Sequence, residues 1–322
     1  MTLRRPPILL RAGLLAGAIG IAGGAVPARA VAQGFVADTA TLMATVRVLA
    51  ADSMEGRKAG TPGGAKARAY LVGKLAAIGL RPLMPGYLQS FPLPRNAPNV
   101  GTNLLAVIPG TDFPRQYIVL SAHYDHAGVI RQQIYNGADD NASGVAAVLA
   151  LAVELQRNPL RYSVVIALFD AEESGLMGAR AFVAAQPVPK DSIRLNVNLD
   201  MVGHSEIGVL WAAGAGRRPA LRPLLEAIAA GAPAILRLGH DQPGVPGEQD
   251  WTFDSDHAPF HAAGIPFVYF GVENHKDYHQ PTDDSETITP AFFGRAVETI
   301  HRALRALDAR LPLTASGAGT LP

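Results

Sequence analysis

The sequence predicts an α/β fold, with a mixed, mostly parallel central sheet and helices on both of its faces. Short apolar runs of strand length alternate with longer segments whose apolar residues recur at helical spacing. Such alternation is typical of parallel strands joined by crossover helices. Because neither an internal repeat nor a break in composition occurs between residues 35 and 310, the 322 residues are predicted to form a single domain.

An N-terminal export signal is predicted ahead of this domain. Two adjacent arginines precede a mostly apolar stretch over 8–25, and Ala28-Arg29-Ala30 has the small residues of a signal-peptidase site. An uncleaved membrane anchor fits less well, because one arginine and five glycines interrupt the apolar stretch. We therefore expect residues 1–30 to be a signal peptide and the protein to be exported, to the periplasm or out of the cell.

Composition narrows the classes of partner. The formal net charge is +1, and it would become −3 without the four arginines of the signal. Neither value suits a nucleic-acid surface, and no stable membrane association is expected after signal cleavage. The chain has no cysteine, so its stability must come from the core, for which 48% hydrophobic residues are ample. No pattern indicates an oligomeric state.

Helical periodicity and turn signals define the elements of the first half. Apolar residues of 63–78 share one helix face, and Gly79 is suited to end that helix. The Pro/Gly-rich piece 81–99 is predicted to be a loop or an excursion at the sheet edge, and a turn at 109–112 separates two apolar runs of strand length. The predicted elements are helices over 37–52, 63–78 and 142–157 and strands over 104–108 and 118–122.

The second half alternates in the same way. The continuous apolar run 164–169 suits a central strand that is buried on both faces. The segment 236–253 is rich in Gly, Pro and Asp, and we predict a long surface loop, of a length that often forms a lid or a substrate wall. Thr289-Pro290 suits the start of the final helix. The domain is predicted to cover 31–310, followed by a disordered tail over 311–322. The remaining predicted elements are helices over 176–185 and 218–231 and strands over 195–199, 209–212 and 265–270.

Imidazole and carboxylate side chains recur where the predicted strands end. In open α/β sheets, ligands bind at this edge. Zinc accepts both kinds of donor, so these residues predict a metal site. They are His123, Asp139, Glu172, Glu173, Asp200 and, in a late polar loop, His279.

The same inventory suits a two-metal hydrolase. Two cations about 3.5–4 Å apart need a bridging carboxylate and further ligands on each side, while a separate carboxylate serves as general base. Neighbouring side chains in extended backbone point opposite ways, so one of Glu172 and Glu173 can bind metal while the other faces the water. Each group alone is more often structural, as Asp139 would be in a helix cap. Several such groups at successive strand ends favour the metal site.

Five segments, in order, resemble the signature of the secreted di-zinc aminopeptidases, the bacterial leucyl-type family related to glutaminyl cyclases. The resemblance extends over about 45–310, and five ordered motifs are far more specific than any one of them. The segments are 121–126 (SAHYDH), 137–144 (GADDNASG), 169–175 (FDAEESG), 198–200 (NLD) and 278–283 (YHQPTD).

The resemblance implies a ligand set for two zinc ions. Asp139 would bridge them. His123 and Asp200 would complete one site, and Glu173 and His279 would complete the other. Cobalt or manganese could replace zinc, because both accept the same donors.

The resemblance also implies the catalytic groups. Glu172 would be the general base, and Tyr278 would help to stabilise the tetrahedral oxyanion. Asp125 would orient the ring of His123, as metal-bound imidazoles commonly require. A cis peptide bond is expected between Asp139 and Asp140.

The function implied is that of an exported zinc exopeptidase acting on peptides with a free N-terminus. Two alternatives stay open. A glutaminyl-cyclase-like aminoacyltransferase would use one zinc, and a non-catalytic peptidase-like binding domain would lack some of the ligands. The segment 236–253 matches no family feature, so the residue preference is left open.

The other polar candidates have weaker support. His126 is either close to the metals or packed in the core, and Asp256 and His257 either border the substrate or cap a helix. Trp251 either lines an apolar pocket or packs in the core. The remaining histidines are interpreted as surface or structural residues: His204, His240, His261, His275 and His301.

Overall fold

The computed structural model describes residues 1–2, 35–94 and 100–313. Nearly all of the predicted signal and the part of the predicted tail beyond residue 313 lie outside these ranges. From Phe35 onwards the chain forms one compact unit. Within the described ranges, no helix combines the length and the apolar character needed to cross a bilayer.

A nine-stranded mixed sheet organises the fold, as predicted. Its order is β1-β3-β7-β4-β8-β11-β9-β10, with β2 also paired to β3. The four central strands, β7, β4, β8 and β11, are parallel, whereas β3 and β9 pair antiparallel with their inner neighbours. A separate hairpin consists of β5 and β6. The strands are β1 Arg81–Pro82, β2 Leu88–Pro92, β3 Val100–Ile108, β4 Phe113–His123, β5 Gly128–Ile130, β6 Gln133–Tyr135, β7 Tyr162–Phe169, β8 Ile193–Leu199, β9 Val209–Ala213, β10 Ile235–Leu238 and β11 Phe267–Gly271.

Helices cover both faces of the sheet because the central strands are apolar on both sides. Along β7, Val164 and every second residue after it join the core under α1, α2, α3, α5 and α7. Val165 and its alternates join the core under α4 and α6. The predicted burial of 164–169 on both faces is confirmed. The helices are α1 Thr39–Leu49, α2 Pro62–Ile78, α3 Gly144–Arg157, α4 Met177–Ala185, α5 Arg222–Ala229, α6 His257–Ala262 and α7 Pro290–Arg310.

Two edge strands lie in segments with strong turn signals. The piece 81–99, predicted to be a loop or an edge excursion, contains β2, whereas the segment from 236, wrongly predicted to be all loop, contains most of β10. Both are short and flanked by Pro or Gly, and only alternate residues are buried, as an edge strand requires. Four or five alternating residues are too few to stand out beside such strong turn signals.

A buried arginine connects the helical layer to the loops at the carboxyl edge of the sheet. Arg57 is completely buried, and its guanidinium donates to four backbone carbonyls. Nε donates to Tyr124 at 2.9 Å, Nη2 donates to Gly137 at 2.9 Å, and Nη1 donates to both Leu49 and Asn136. Burial lowers the pKa of the guanidinium to about 10, although nearby carboxylates oppose the shift, so the side chain stays charged at neutral pH.

Candidate metal centre

The order of the central strands explains why the predicted ligands converge. Strands β7, β4 and β8 are adjacent and parallel, so their carboxyl ends meet at one edge of the sheet. His123 is the last residue of β4, Glu172 and Glu173 follow β7, and Asp200 follows β8. A single cleft therefore receives side chains from three strands.

The first group of ligand atoms surrounds His123. Its Nε2 lies 3.2 Å from Asp200 Oδ1, and Glu172 completes a group whose ligand atoms are within 4.8 Å of one another. The opposite ring nitrogen, Nδ1, lies 3.2 Å from the carbonyl of Asp125 and 3.7 Å from its carboxylate. Because both partners at Nδ1 are acceptors, a proton on Nδ1 would satisfy them and would leave Nε2, which faces the cleft, free to bind a metal ion. Ser255 fixes Asp200 by donating to Oδ2 at 2.7 Å.

The second group surrounds Glu173. His279 Nε2 lies 3.6 Å from Glu173 Oε2, and His126 Nδ1 lies 2.6 Å from Glu173 Oε1. His126, Asp140 and Glu173 present ligand atoms within 4.8 Å of one another. The structure thus brings His126, whose role was left open, directly to the predicted ligands.

Asp140 joins the two groups. Its Oδ1 lies 3.4 Å from His123 Nε2, and its Oδ2 lies 3.1 Å from His279 Nε2. Burial alone would raise the pKa of this carboxyl, but the imidazoles of His126, His279 and His123 hold it well below its usual range. Each oxygen of Asp140 therefore faces a different group of ligands, which is the geometry of a bridging carboxylate.

The structure places Asp140, and not the predicted Asp139, between the two groups of ligand atoms. Asp139 points away from the cleft, where Oδ1 accepts from the backbone of Gly203 at 2.7 Å and of His204 at 3.2 Å. Its Oδ2 lies 3.2 Å from His275 Nε2. Neighbouring carboxylates are directed to opposite sides here, and the GADDNASG motif has two aspartates in a row, so its letters alone leave the choice ambiguous. The cis peptide bond likewise lies between Asp140 and Asn141 rather than before Asp140.

Asp283 holds the backbone of this segment in place. Its carboxylate accepts from the backbone N–H of Asp139 at 2.9 Å and of Asp140 at 3.1 Å. Burial, reinforced by the charge of Asp139, raises the pKa of Asp283 to about 6. Because Asp283 ends the YHQPTD segment, the loop that carries His279 also fixes the orientation of Asp140.

The donor set fits zinc. Carboxylate oxygen and imidazole nitrogen are both zinc ligands, and two groups share one carboxylate. His126 Nδ1 and Glu173 Oε1 are buried and 2.6 Å apart. Neither atom has a hydrogen-bond partner of suitable geometry within the described residues. Buried polar atoms without a hydrogen-bond partner are costly, which fits a site that holds a cation. The predicted residues that line the centre are His123, Glu172, Glu173, Asp200, Tyr278 and His279, and the structure adds Asp140.

Glu172 has the environment of a proton acceptor. Burial, with repulsion from Asp256 and Asp200, raises the pKa of its carboxyl well above the usual range, and His123 only partly opposes this. The backbone N–H of Glu172 donates to Asp125 Oδ1 at 3.0 Å. Asp125 therefore contacts both the ring of His123 and the backbone of Glu172, which is consistent with the orienting role predicted for it.

The cleft in front of these groups has a volume of about 340 Å³. The ring of Tyr278 lines it and stacks on that of His279, with centroids 3.9 Å apart. Gln249 and Trp251, from the segment predicted to be a long surface loop, also line the cleft. The indole of Trp251 stacks on His240 of the same segment at 3.6 Å, and it packs edge-on against Tyr269 of β11, which fixes the wall to the sheet.

Asp256 and His257 are completely buried and do not border this cleft. His257 Nε2 donates to the carbonyl of Trp251 at 2.8 Å, and burial keeps the ring neutral. Burial lowers its pKa to about 3. Burial and neighbouring carboxylates raise the pKa of Asp256 to about 8.

The neutral state of His257 predicts a loss of stability in acid. An unfolded histidine titrates near pH 6.5. Below that pH the unfolded chain therefore binds a proton that the folded chain does not bind. The contribution is present above pH 6.5 and decreases as the pH falls toward 3, by about 3 kcal/mol between pH 7 and pH 4. Urea titrations should show that His257→Gln loses less unfolding free energy than wild type between pH 7 and pH 4, by that amount. The half-buried His261→Gln should differ less from wild type. An unaltered pH dependence in His257→Gln would contradict the assignment.

Comparison with known proteins identifies the family. Residues 103–304 match the sequence family described as Peptidase family M28. The chain belongs to this family. The match includes every predicted ligand and catalytic residue, and it confirms the resemblance found in the five motifs.

Relatives within the family include curated bacterial peptidases. Leupeptin-inactivating enzyme 1 of Streptomyces exfoliatus is 30% identical over 231 residues, or 70% of this chain and 46% of the relative. An aminopeptidase of Pseudomonas aeruginosa is 31% identical over 176 residues, or 52% of this chain and 31% of the relative. The chain thus spans less than half the length of these relatives.

Solved structures share the fold. A zinc aminopeptidase from Bacillus subtilis superposes with a TM-score of 0.53 and 26% identity over 64% of this chain and 50% of its own. The glutaminyl cyclase of Fimbriiglobus ruber superposes with a TM-score of 0.70 over 88% of this chain and 99% of its own, but at 21% identity it shows the fold alone. Both confirm the predicted α/β class.

Proposed function

We propose that this M28 member is an exported, two-zinc aminopeptidase that removes N-terminal residues from peptides. The observation that carries the proposal is Asp140, whose two oxygens face two separate groups of ligand atoms. His123 and Asp200 would hold one zinc together with Asp140. Glu173 and His279 would hold the other, next to His126. The zinc ions would supply Lewis acidity, which polarises the scissile carbonyl and favours deprotonation of water.

The protein's own groups would move the proton. Glu172, with its raised pKa, accepts a proton from the attacking water and returns it to the nitrogen of the leaving amine. Asp125 holds Glu172 and His123 in position through contacts to both residues. Tyr278 lies at the cleft wall, where its hydroxyl can donate to the oxyanion that forms on the substrate carbonyl.

The charge of the cleft supports exopeptidase action. Glu172, Glu173 and Asp254 all line it. A free α-ammonium group entering this cleft would be attracted by these carboxylates, whereas an acylated N-terminus would not be. We propose on this ground that the substrate is a peptide with a free N-terminus.

Export is proposed from the sequence of the N-terminus. The arginine pair, the apolar stretch and the Ala28-Arg29-Ala30 motif support removal of residues 1–30 as a signal peptide. Residues 31–310 would then form the mature peptidase domain.

A panel of aminoacyl anilides tests the function. The zinc-loaded protein should hydrolyse unblocked substrates, and treatment with a chelator should lower the rate by about 100-fold or more, with recovery on zinc addition. The N-acetylated form of the best substrate is the matched control and should not be cleaved. Cleavage of the blocked form, or pyroglutamate formation from glutaminyl peptides without hydrolysis of the panel, would contradict the proposal and favour endopeptidase or cyclase action.

A further inference from the structure

A third group of metal-binding side chains lies on the other side of Asp139. His204 follows β8, while His275 and Asp277 belong to the loop that follows β11. One ligand atom from each of these three residues lies within 4.8 Å of the other two. The group shares no residue with the centre around Asp140.

Hydrogen bonds on the far side of each imidazole determine which nitrogen carries the proton. His275 Nε2 faces Asp139 Oδ2 at 3.2 Å, and His204 Nδ1 faces the carbonyl of Thr287 at 2.5 Å. Both partners can only accept, so these two nitrogens are the protonated ones. The lone pairs therefore lie on His275 Nδ1 and His204 Nε2, which leaves these two nitrogens free to bind a cation.

The third ligand is an anion with one free oxygen. Thr282 Oγ1 donates to Asp277 Oδ1 at 2.7 Å. The other oxygen, Oδ2, is buried, and so are His275 Nδ1 and His204 Nε2, and none of the three has a hydrogen-bond partner within the described residues. The His275 and Asp277 residues are only 7% and 6% exposed. Buried acceptors on neighbouring side chains without a donor are costly unless a cation joins them.

We propose that His204 Nε2, His275 Nδ1 and Asp277 Oδ2 bind a third divalent cation of the zinc class. Zinc bonds of about 2.0–2.2 Å place tetrahedral ligands roughly 3.4 Å apart. Three atoms within 4.8 Å of one another can reach that spacing by small side-chain rotations. Asp139 and the Thr287 carbonyl would be the outer hydrogen-bond partners that orient the two imidazoles, as is usual for zinc-bound histidine.

This site would support the centre around Asp140 without taking part in its chemistry. Asp139, which orients His275, precedes Asp140 in sequence, and Asp277 lies two residues before His279. A cation in the third site would therefore fix the two loops that carry Asp140 and His279. It would be structural, because none of its ligands lines the substrate cleft.

Zinc stoichiometry tests the site independently of activity. The full protein is stripped with a chelator, reloaded, dialysed against buffered zinc and measured by plasma mass spectrometry. Asp277→Asn and His204→Asn should each bind one zinc fewer per chain than wild type. The exposed neighbours Lys276→Gln and Glu206→Gln are matched controls and should bind the wild-type number.

The difference of one equivalent is the decisive quantity. An equal zinc content in wild type and both site variants would overturn the site, provided that circular dichroism shows them folded. Because His204 is only partly buried, its variant keeps the test available if Asp277→Asn fails to fold. Failure of the aminoacyl panel would contradict the proposed function but would leave this difference unchanged, so the two results are separable.

Discussion

Glu172→Gln is expected to lower kcat by about 10³-fold while zinc content stays at the wild-type level. The amide has nearly the shape of the carboxyl but cannot accept the proton of the attacking water. The backbone N–H of Glu172, which donates to Asp125, is unaffected by the change. The ligands around Asp140 should therefore stay in place, and the lower kcat should reflect the loss of proton transfer.

Two measurements separate this effect from damage to the centre. Zinc per chain and thermal unfolding should both match wild type for Glu172→Gln. Glu286→Gln, an exposed carboxyl outside the cleft, is the control and should keep full turnover. Turnover of Glu172→Gln within a few-fold of wild type would remove this residue from the role of general base.

Asp140→Asn is expected to abolish measurable hydrolysis, a loss of about 10³-fold or more, and to lower the zinc content of the chain. One neutral amide oxygen cannot serve both groups of ligand atoms that the two carboxylate oxygens face. The same substitution at Asp139 is the matched comparison, because that residue is adjacent, also buried and acidic.

Asp139→Asn should mainly affect stability. Its carboxylate accepts hydrogen bonds from two backbone N–H groups and from His275. The NH2 group of an asparagine amide would face one of these three donors and lose that hydrogen bond. We expect a loss of about 1–3 kcal/mol in the free energy of unfolding, measured with urea, with the zinc of the Asp140 centre and its activity largely retained. The reverse pattern, with Asp139→Asn inactive and Asp140→Asn active, would restore Asp139 as the bridging residue.

The fold was largely predictable because its signals are repetitive. The run 164–169 is apolar at every position, and only a central strand covered on both faces buries all of its residues. The final helix begins at Pro290, as the Thr289-Pro290 pair predicts. Strand β10 was missed because its four residues lie at the edge of the sheet, where half of them are exposed and the flanking glycines and prolines dominate the local pattern.

The site was predictable at the level of segments and less so at single residues. Strand ends predicted where His123 and Asp200 would lie, since their position depends only on the strand order. The orientation of Asp139 and Asp140 depends instead on an irregular backbone over 138–143, which no periodicity in the sequence reports. His275, Asp277 and His279 place three possible ligands in one short loop, and this concentration was a signal that could have been used.

Arg57 has a consequence for the order in which the domain folds and acquires its cations. Its positive charge lies among Asp140, Asp283, Asp125 and Glu173, and it lessens their mutual repulsion. Its bonds to the carbonyls of Asn136 and Gly137 also anchor the start of the Asp140 loop. Small zinc modules remain unfolded until metal arrives. This domain carries a permanent internal counter-ion, so we expect its polypeptide to reach the native state first and to exchange zinc afterwards without unfolding.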